Sequence, residues 1–444
     1  LTLDAVNNLS RLYWNQDKLA DAEKMCKWAL QGYEKTLGVE HTSTLDTVNY
    51  LAILYRRQDK LVDAKKMCER ALQGYEKTLG VEHMSTLQVV NNLAIIYTQQ
   101  GKLADAEKIY QRALQGYEKV LGAEHTSTLQ TVNNLGLLYW NQGKPADAEK
   151  MYRRALQGYE KVLGAEHTST LQTVNNFGLL YWNQNKLADA EKMYRRALQG
   201  YEKALGAEHT STLQTVNNLA ILYKNQGKLA DAEKMYQRAL QGYEKALGAE
   251  HTSILQVVNN LATLYMEQGK LADAEKMYQR ALQGYEKALG VEHTSTLEIV
   301  NNLAILYMDQ CKLAEAEKMY RRALQGYEKA LGAEHTSTLQ VVNNSASLYM
   351  DQGKLAEAEK MYQRALQGYE KALGIDNIAT YIPALNTIWG LGSLFERQAD
   401  LAKARIMYSK ALAGYEKVYG PDHLRSRSLQ ESLRALGARE RVMP

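Results

Sequence analysis

The sequence predicts an all-α fold, an α-solenoid of about ten stacked helix pairs. Three observations carry this. A unit of 42 residues recurs along nearly the whole chain, each copy holds two stretches with apolar residues at three- and four-residue steps, and a glycine closes most stretches. Residues 143–184 repeat residues 101–142 with four changes: Leu103 to Pro145, Ile109 to Met151, Gln111 to Arg153 and Leu135 to Phe177. Neither stretch could bury its stripe alone. Stacked neighbours bury both, which is why such arrays need several copies.

In 101–142 the first stretch runs from Lys102 to about Leu121, with Leu103, Ala106, Ile109, Tyr110, Ala113, Leu114, Tyr117 and Leu121 on one face. Gly122 supplies a left-handed stop. Thr126 or Ser127 is expected to N-cap the second stretch, where Leu129, Val132, Leu135, Gly136 and Tyr139 form the stripe that ends at Gly143. Pro145 falls in the first turn of its helix, where no N–H partner is lost. Leu1 aligns with Ser43, so the chain is expected to open inside a first helix, either as a fragment with further domains upstream or as a trimmed all-repeat protein.

Residues 1–84 diverge most: Asp17 and Asp59 replace the turn Gly, Cys26 and Cys68 replace a core Tyr, and Tyr50 replaces an Asn. From 85 to 374 the copies are nearly uniform, although Asn185 and Cys311 again take the Gly position, at a cost on the order of 1 kcal/mol for a side chain in a left-handed turn. The last repeat is lengthened at 378–394 by four residues, read as one extra turn of a helix that starts near Pro383, and Trp389 and Gly390 stand where Asn343 and Asn344 stood. The predicted organisation is one elongated solenoid over 1–420, then a capping helix and tail over 421–444 that set Arg425, Arg427, Arg434, Arg439 and Arg441 against Glu431 and Glu440.

Leu135, Gly136, Tyr139, Ala148, Tyr152 and Ala155 stand in the spacing L-G-x2-Y-x8-A-x3-F-x2-A, with Tyr in the Phe place, and so resemble the tetratricopeptide repeat. The 42-residue length, the Asn-Asn pair and the GxEH turn are similar to kinesin light chains and to the repeat arrays that end fungal nucleotide-binding (NACHT/NB-ARC) receptors. The resemblance implies a right-handed superhelix that binds a protein or extended peptide in a concave groove.

Composition narrows the function. Basic and acidic residues, 54 and 50, are interspersed in every repeat, which leaves no basic stripe for nucleic acid. No apolar run approaches the roughly 18 residues of a membrane span, and Leu1 opens no signal peptide. Three cysteines do not make a disulfide framework. Cys26 and Cys68 fill core positions one repeat apart, beyond bridging reach, so free thiols and a reducing, cytoplasmic compartment are expected.

No catalytic constellation, cofactor site or metal site is predicted. His41, His83, His125, His167, His209, His251, His293 and His335 recur one per repeat and cannot converge on one metal, so they read as turn residues. The KLADAEK charges read as ordinary pairs within one helix. Most of the 30 tyrosines fall on the buried stripes.

What remains is a face beside the core stripe, formed by Gln130, Asn133, Leu137, Trp140 and Asn141. In the proteins this chain resembles, that face lines the groove. Asn134 then matches an Asn that hydrogen-bonds a peptide backbone, which implies a ladder of Asn8, Asn92, Asn134, Asn176, Asn218, Asn260, Asn302 and Asn344, interrupted at Tyr50 and flanked by Asn133 and Asn175. A carboxamide can both donate to and accept from a peptide unit. Tying adjacent helices together is the equal alternative.

Differences among the copies sharpen this. The Trp140 position reads Trp14, Arg56, Thr98, Trp140, Trp182, Lys224, Met266, Met308 and Met350, and its neighbour runs Asn15, Arg57, Gln99, Asn141, Asn183, Asn225, Glu267, Asp309 and Asp351. Core positions scarcely change, while the exposed Gln111 and Arg153 position drifts too. The pattern predicts a graded recognition groove, cationic and aromatic early, Met-rich and acidic late. Truncating Trp140 and Trp182 to Ala is expected to leave melting nearly intact and to weaken binding by more than about 1 kcal/mol. The expected role is a non-catalytic protein-binding scaffold: the ligand-sensing array of a fungal receptor or, alternatively, a kinesin-light-chain-like cargo adaptor. Self-association through the uncapped first helix is a further expectation.

Overall fold

The computed structural model describes residues 2–16, 18–248 and 251–442. Asp17 and Leu1 lie outside the described residues, as do the side chains of Glu440 and Arg441. Among the described residues the chain is all helix and turn, and the helices come in pairs. They are α1 (Leu3–Asn15) with α2 (Leu19–Leu37), α3 (Thr42–Arg57) with α4 (Leu61–Thr78), and α5 (Met84–Gln99) with α6 (Leu103–Leu121). Next come α7 (Thr126–Asn141) with α8 (Pro145–Leu163), α9 (Thr168–Asn183) with α10 (Leu187–Leu205), and α11 (Thr210–Asn225) with α12 (Leu229–Leu247). Then follow α13 (Thr252–Glu267) with α14 (Leu271–Ala288), α15 (Thr294–Asp309) with α16 (Leu313–Leu331), and α17 (Thr336–Asp351) with α18 (Leu355–Leu373). Short α19 (Ile375–Ile378) precedes α20 (Ile382–Arg397), α21 (Leu401–Tyr419) and α22 (Leu424–Val442). The chain forms two compact units, Leu1–Thr296 and Leu297–Pro444.

Within a pair the stripes interlock as their spacing demands. Ala148, Tyr152, Ala155 and Tyr159 of α8 and Leu129, Val132 and Leu135 of α7 are all buried. Gly158 is needed where the two helices meet, since a Cβ there would sit 2.5 Å from Leu129 Cδ2. Cys26 and Cys68 are buried and free, as their core-filling role requires, and burial pushes each thiol up to about 12.

Each turn is built in the same way. His125 Nδ1 accepts from the Ser127 N–H at 3.2 Å, so the repeated His, and not the expected Thr126 or Ser127, is the N-cap. Thr128 Oγ1 donates to the Gly122 carbonyl at 2.8 Å and ties the helix to the preceding stop. That stop, at φ 89° and ψ 165°, is an extended positive-φ conformation and not a left-handed helical one. The left-handed turns fall after the odd helices instead, at Gly143 (φ 71°), and the expected substitutes Asp59, Asn185 and Cys311 adopt φ of 57°, 59° and 59°. Ala399, at 61°, joins them without having been singled out.

The insertion near the end behaves differently from its prediction. It makes α19 and a short link, while α20 keeps 16 residues like other odd-register helices. Pro383, in the first turn of α20, fixes where that helix can begin.

Charged side chains join neighbouring repeats more than they pair within a helix. Arg154 meets Glu118, Arg196 meets Glu160 and Arg238 meets Glu202 at 2.5 Å, each across successive even helices, and Lys203 meets Glu166 of the preceding turn at 2.6 Å. Pairs within a helix also occur, as between Arg153 and Glu149 at 2.5 Å. Gln142 Nε2, in turn, donates to the Leu103 carbonyl of the preceding repeat at 3.2 Å. Exposed pairs contribute only a few tenths of a kcal/mol each, so they fix register more than stability.

Cys311 carries the cost of a left-handed turn at a site where glycines in other repeats have open space around the missing Cβ. Replacing Cys311 with Gly should therefore stabilise the second unit by about 1 kcal/mol, read as a higher urea midpoint. An unchanged or lower midpoint would show that the turn is unstrained.

Candidate peptide-binding face

The inner face starts from the Asn pair of each odd helix. Asn92 Nδ2 donates to Asn49 Oδ1 at 3.1 Å, Asn134 to Asn91 at 3.4 Å, Asn176 to Asn133 at 3.0 Å, Asn218 to Asn175 at 3.1 Å and Asn260 to Asn217 at 3.0 Å. The second unit repeats the motif, with Asn344 donating to Asn301 at 3.1 Å. These bonds tie each odd helix to the next through short side chains, whereas even helices are bridged by long Arg and Lys. Within each unit the odd helices therefore form the closer-spaced, inner row.

The ends of the ladder show how strictly it is specified. Asn7 Oδ1 and Asn343 Oδ1 are buried without a partner, because the residues that should donate to them are Tyr50 and Gly390. Asn134 and Asn218 keep part of their hydrogen-bonding capacity, with Oδ1 accepting from Gln130 and Gln214 at 3.2 and 3.3 Å. Each carboxamide is thus committed first to its neighbouring helix. Asn8 is exposed and Asn302 half-buried in the same register.

Beside this ladder lie the positions at which the copies differ. Trp14, Arg56, Thr98, Trp140, Trp182, Lys224, Met266, Met308 and Met350 are without exception half-buried, while Asn15, Arg57, Gln99, Asn141, Asn225, Glu267, Asp309 and Asp351 are exposed and Asn183 is half-buried. Trp14, Trp140 and Met350 of this register pack against the core. Trp140 packs on Ala148, Tyr152, Phe177 and Leu180, and Met308 Sδ accepts from Tyr320 at 3.4 Å. Truncating Trp140 therefore removes packing as well as surface.

The two registers also touch from one repeat to the next. Arg57 lies over the Trp14 ring at 5.2 Å, Trp14 tilts against Tyr50 at 6.1 Å, and Lys224 Nζ meets Glu267 at 2.8 Å. In the second unit Arg397 donates to the Met350 carbonyl at 2.9 Å and meets Asp351 at 3.5 Å. Burial, reinforced by neighbouring Arg57, disfavours the charge of Arg56. Glu298 stands exposed in the Gln130 register, and partial desolvation raises its carboxyl above the usual range. Burial raises Asp309 in the same direction.

The tetratricopeptide repeat model matches eight overlapping stretches, from 1–77 through to 295–371, and a second tetratricopeptide model matches 390–425. The chain belongs to the tetratricopeptide-repeat family. No curated protein sequence matches this tetratricopeptide chain. Among solved structures it is similar to a Rap protein complexed with Competence and Sporulation Factor, with TM-score 0.56 and 12% identity over 89% of this chain and 100% of that one. Aspartyl phosphate phosphatase F from Bacillus subtilis is similar at TM-score 0.50 and 12% identity, over 87% of this chain and 96% of that one. A Podosopora anserina putative kinesin light chain with nearly identical TPR-like repeats is 24% identical at TM-score 0.39, covering 47% of this chain and 99% of that one. At such identities the likeness is one of fold. Among the described residues no cluster of three His, Cys, Asp or Glu could hold a metal ion, and no helix is long and apolar enough to cross a membrane.

Two outcomes follow for this tetratricopeptide face. Asn217 is 1% exposed and accepts the Asn260 carboxamide, so Asn217→Ala should cost about 1–3 kcal/mol by leaving that donor unpaired, measured by urea unfolding. A loss below a few tenths would mean that the ladder is not structural. For Glu298 the sign follows from its raised folded pKa: the folded chain holds that proton more readily than the unfolded one. Its contribution is most favourable below the ordinary Glu value near 4.3 and is lost as pH rises through the folded pKa. Because Glu298 is exposed, solvent screening keeps the effect small: Glu298→Gln should raise the melting temperature slightly at pH 7 and change it little at pH 4, and the reverse order would contradict a raised carboxyl.

Proposed function

We propose that the chain is a non-catalytic scaffold that binds a protein or extended peptide along the inner row of odd helices. One observation carries this: the chemistry changes from repeat to repeat in two adjacent registers that are half-buried and exposed, while the core beneath stays constant. Copies this alike would be alike there too if nothing distinguished the sites. Trp14, Arg56 and Arg57 offer aromatic and cationic surface. In the same unit Trp140 and Trp182 offer broad apolar anchors, Lys224 with Glu267 a charged pair and Met266 an adaptable apolar contact; in the second unit Met308 and Met350 stand next to the acidic Asp309 and Asp351.

Asn92, Asn134, Asn176, Asn218, Asn260, Asn302 and Asn344, with Asn133 and Asn175, border this file. Their role toward a ligand is secondary: the spare hydrogen-bonding capacity of a carboxamide already engaged with its neighbour can still meet a peptide unit. No step of the proposal needs a cofactor, a nucleic acid or a membrane.

The finer role we favour is the ligand-sensing repeat region of a fungal nucleotide-binding receptor, because near-identical copies with a varied inner face suit a sensor. A kinesin-light-chain-like adaptor is the alternative. The coding sequence upstream of Leu1 separates them, since a Walker A loop favours the receptor and a heptad coiled coil the adaptor.

The binding claim is tested by selecting peptides from a random library on the intact chain and measuring the affinity of the best binder for swap variants. Trp140→Met, Trp182→Met and Lys224→Met each install a residue native to the same register elsewhere, so folding is retained. Each should weaken a binder that spans its repeat by about tenfold or more, near 1.4 kcal/mol, while the outward Arg153→Gln should not. Binders lost only with Arg153→Gln would move the site to the outer wall.

A further inference from the structure

Residues more than five repeats apart meet in the first unit. The Asp59 carboxylate accepts from the Thr294 N–H at 2.9 Å and from the Thr294 hydroxyl, both through Oδ2. His293 Nε2 lies 3.4 Å from the same oxygen and 3.2 Å from the Arg57 carbonyl oxygen, while its Nδ1 accepts from the Ser295 N–H at 3.1 Å. With Nδ1 accepting, the ring proton of neutral His293 is on Nε2, facing Arg57 and Asp59. A carboxylate at the first N–H of α15 also meets the positive end of that helix.

Three features set this contact apart from the repeating scheme. His293 is 9% exposed, whereas the equivalent His41, His83, His125, His167 and His209 are exposed. Asp59 is one of the few side chains in a left-handed turn that most other repeats give to Gly, and its carboxylate is spent on this bond. The EHTST segment is shared by most repeats, so pairing with 293–294, and not with another copy, reflects how far the unit coils between repeats.

We infer that Asp59, with the Arg57 carbonyl, is a clasp that joins successive turns of the first unit's coil and so encloses its inner row sideways. Resting on the binding reading above, the inference narrows the partner to an extended, unfolded segment that enters along the coil axis or while the clasp is open. A folded domain would be held off. The clasp regulates access to the face that runs from Trp14 to Glu267.

The test reads the clasp without any ligand, so it can fail while peptide binding survives, and the reverse. Spin labels are placed at Val62→Cys and Val291→Cys, both more than half exposed and flanking the clasp, in a Cys311→Gly background where Cys26 and Cys68 stay buried. Electron–electron distance measurement should give one narrow, short population. Asp59→Gly, which suits the turn and retains the fold, should move most molecules to a longer, broader one, and Asn185→Gly should not. In melting, Asn185→Gly should stabilise while Asp59→Gly gains less or loses. A short distance unchanged in Asp59→Gly, with a rise in stability equal to that of Asn185→Gly, would overturn the clasp.

Discussion

In most repeats one carboxamide reaches back 43 residues to another, and the inner row depends on that bond. A buried amide left unpaired costs on the order of 1–3 kcal/mol, so the second Asn of each pair has a single low-energy position against the first Asn of the preceding repeat. That holds successive odd helices at one spacing and one rotation. Once rotation is fixed, the residues six positions after the second Asn, as Trp140 follows Asn134, must emerge beside the ladder in every copy. The uniform half-burial from Trp14 to Met350 is the result: one part of each side chain is covered, as where Trp140 packs on the Tyr152 cluster and Met308 meets Tyr320, and the rest is free to differ.

Free variation is affordable only because the rest of the unit does not vary. The tetratricopeptide core, made of Ala, Leu, Val and Tyr on paired stripes, carries the stability. The Arg and Lys to Glu bridges on the outer row set register at little energetic consequence. A Trp can therefore give way to Lys or Met in the variable register without a new fold problem. Chemistry can then be graded along the file from the Arg57 and Trp14 stack to the Lys224 and Glu267 pair.

Much of this was legible in the sequence because a solenoid writes its contacts as a period. The helix pairs, the buried Cys26 and Cys68, and the left-handed turns at Asp59, Asn185 and Cys311 follow from aligning the copies with one another. Contacts between copies were harder to read. Helical spacing describes neighbours on one helix, so it assigned KLADAEK charges such as Glu107 to local pairs, when Glu107 also meets Lys144 of the next repeat at 3.6 Å. His125 was passed over as a cap because Ser and Thr stand beside it, although its Nδ1 reaches the right N–H. Both roles of Asn134 were visible, but only the three-dimensional register shows which partner its Nδ2 takes first. The Asp59 to Thr294 bond depends on the accumulated coil of more than five repeats, which no local pattern encodes.

The most direct measure of whether the differing residues of each unit form a wet surface is hydroxyl-radical footprinting of the intact chain, free and with a selected peptide bound. If they do, Trp140, Trp182, Met266, Met308 and Met350 are oxidised in the free protein at rates between those of exposed Trp28 and buried Tyr152, and a bound peptide protects neighbouring positions of one unit together. Oxidation as slow as that of Tyr152, or protection that falls on Arg153 and the outer helices instead, would contradict an inner recognition face.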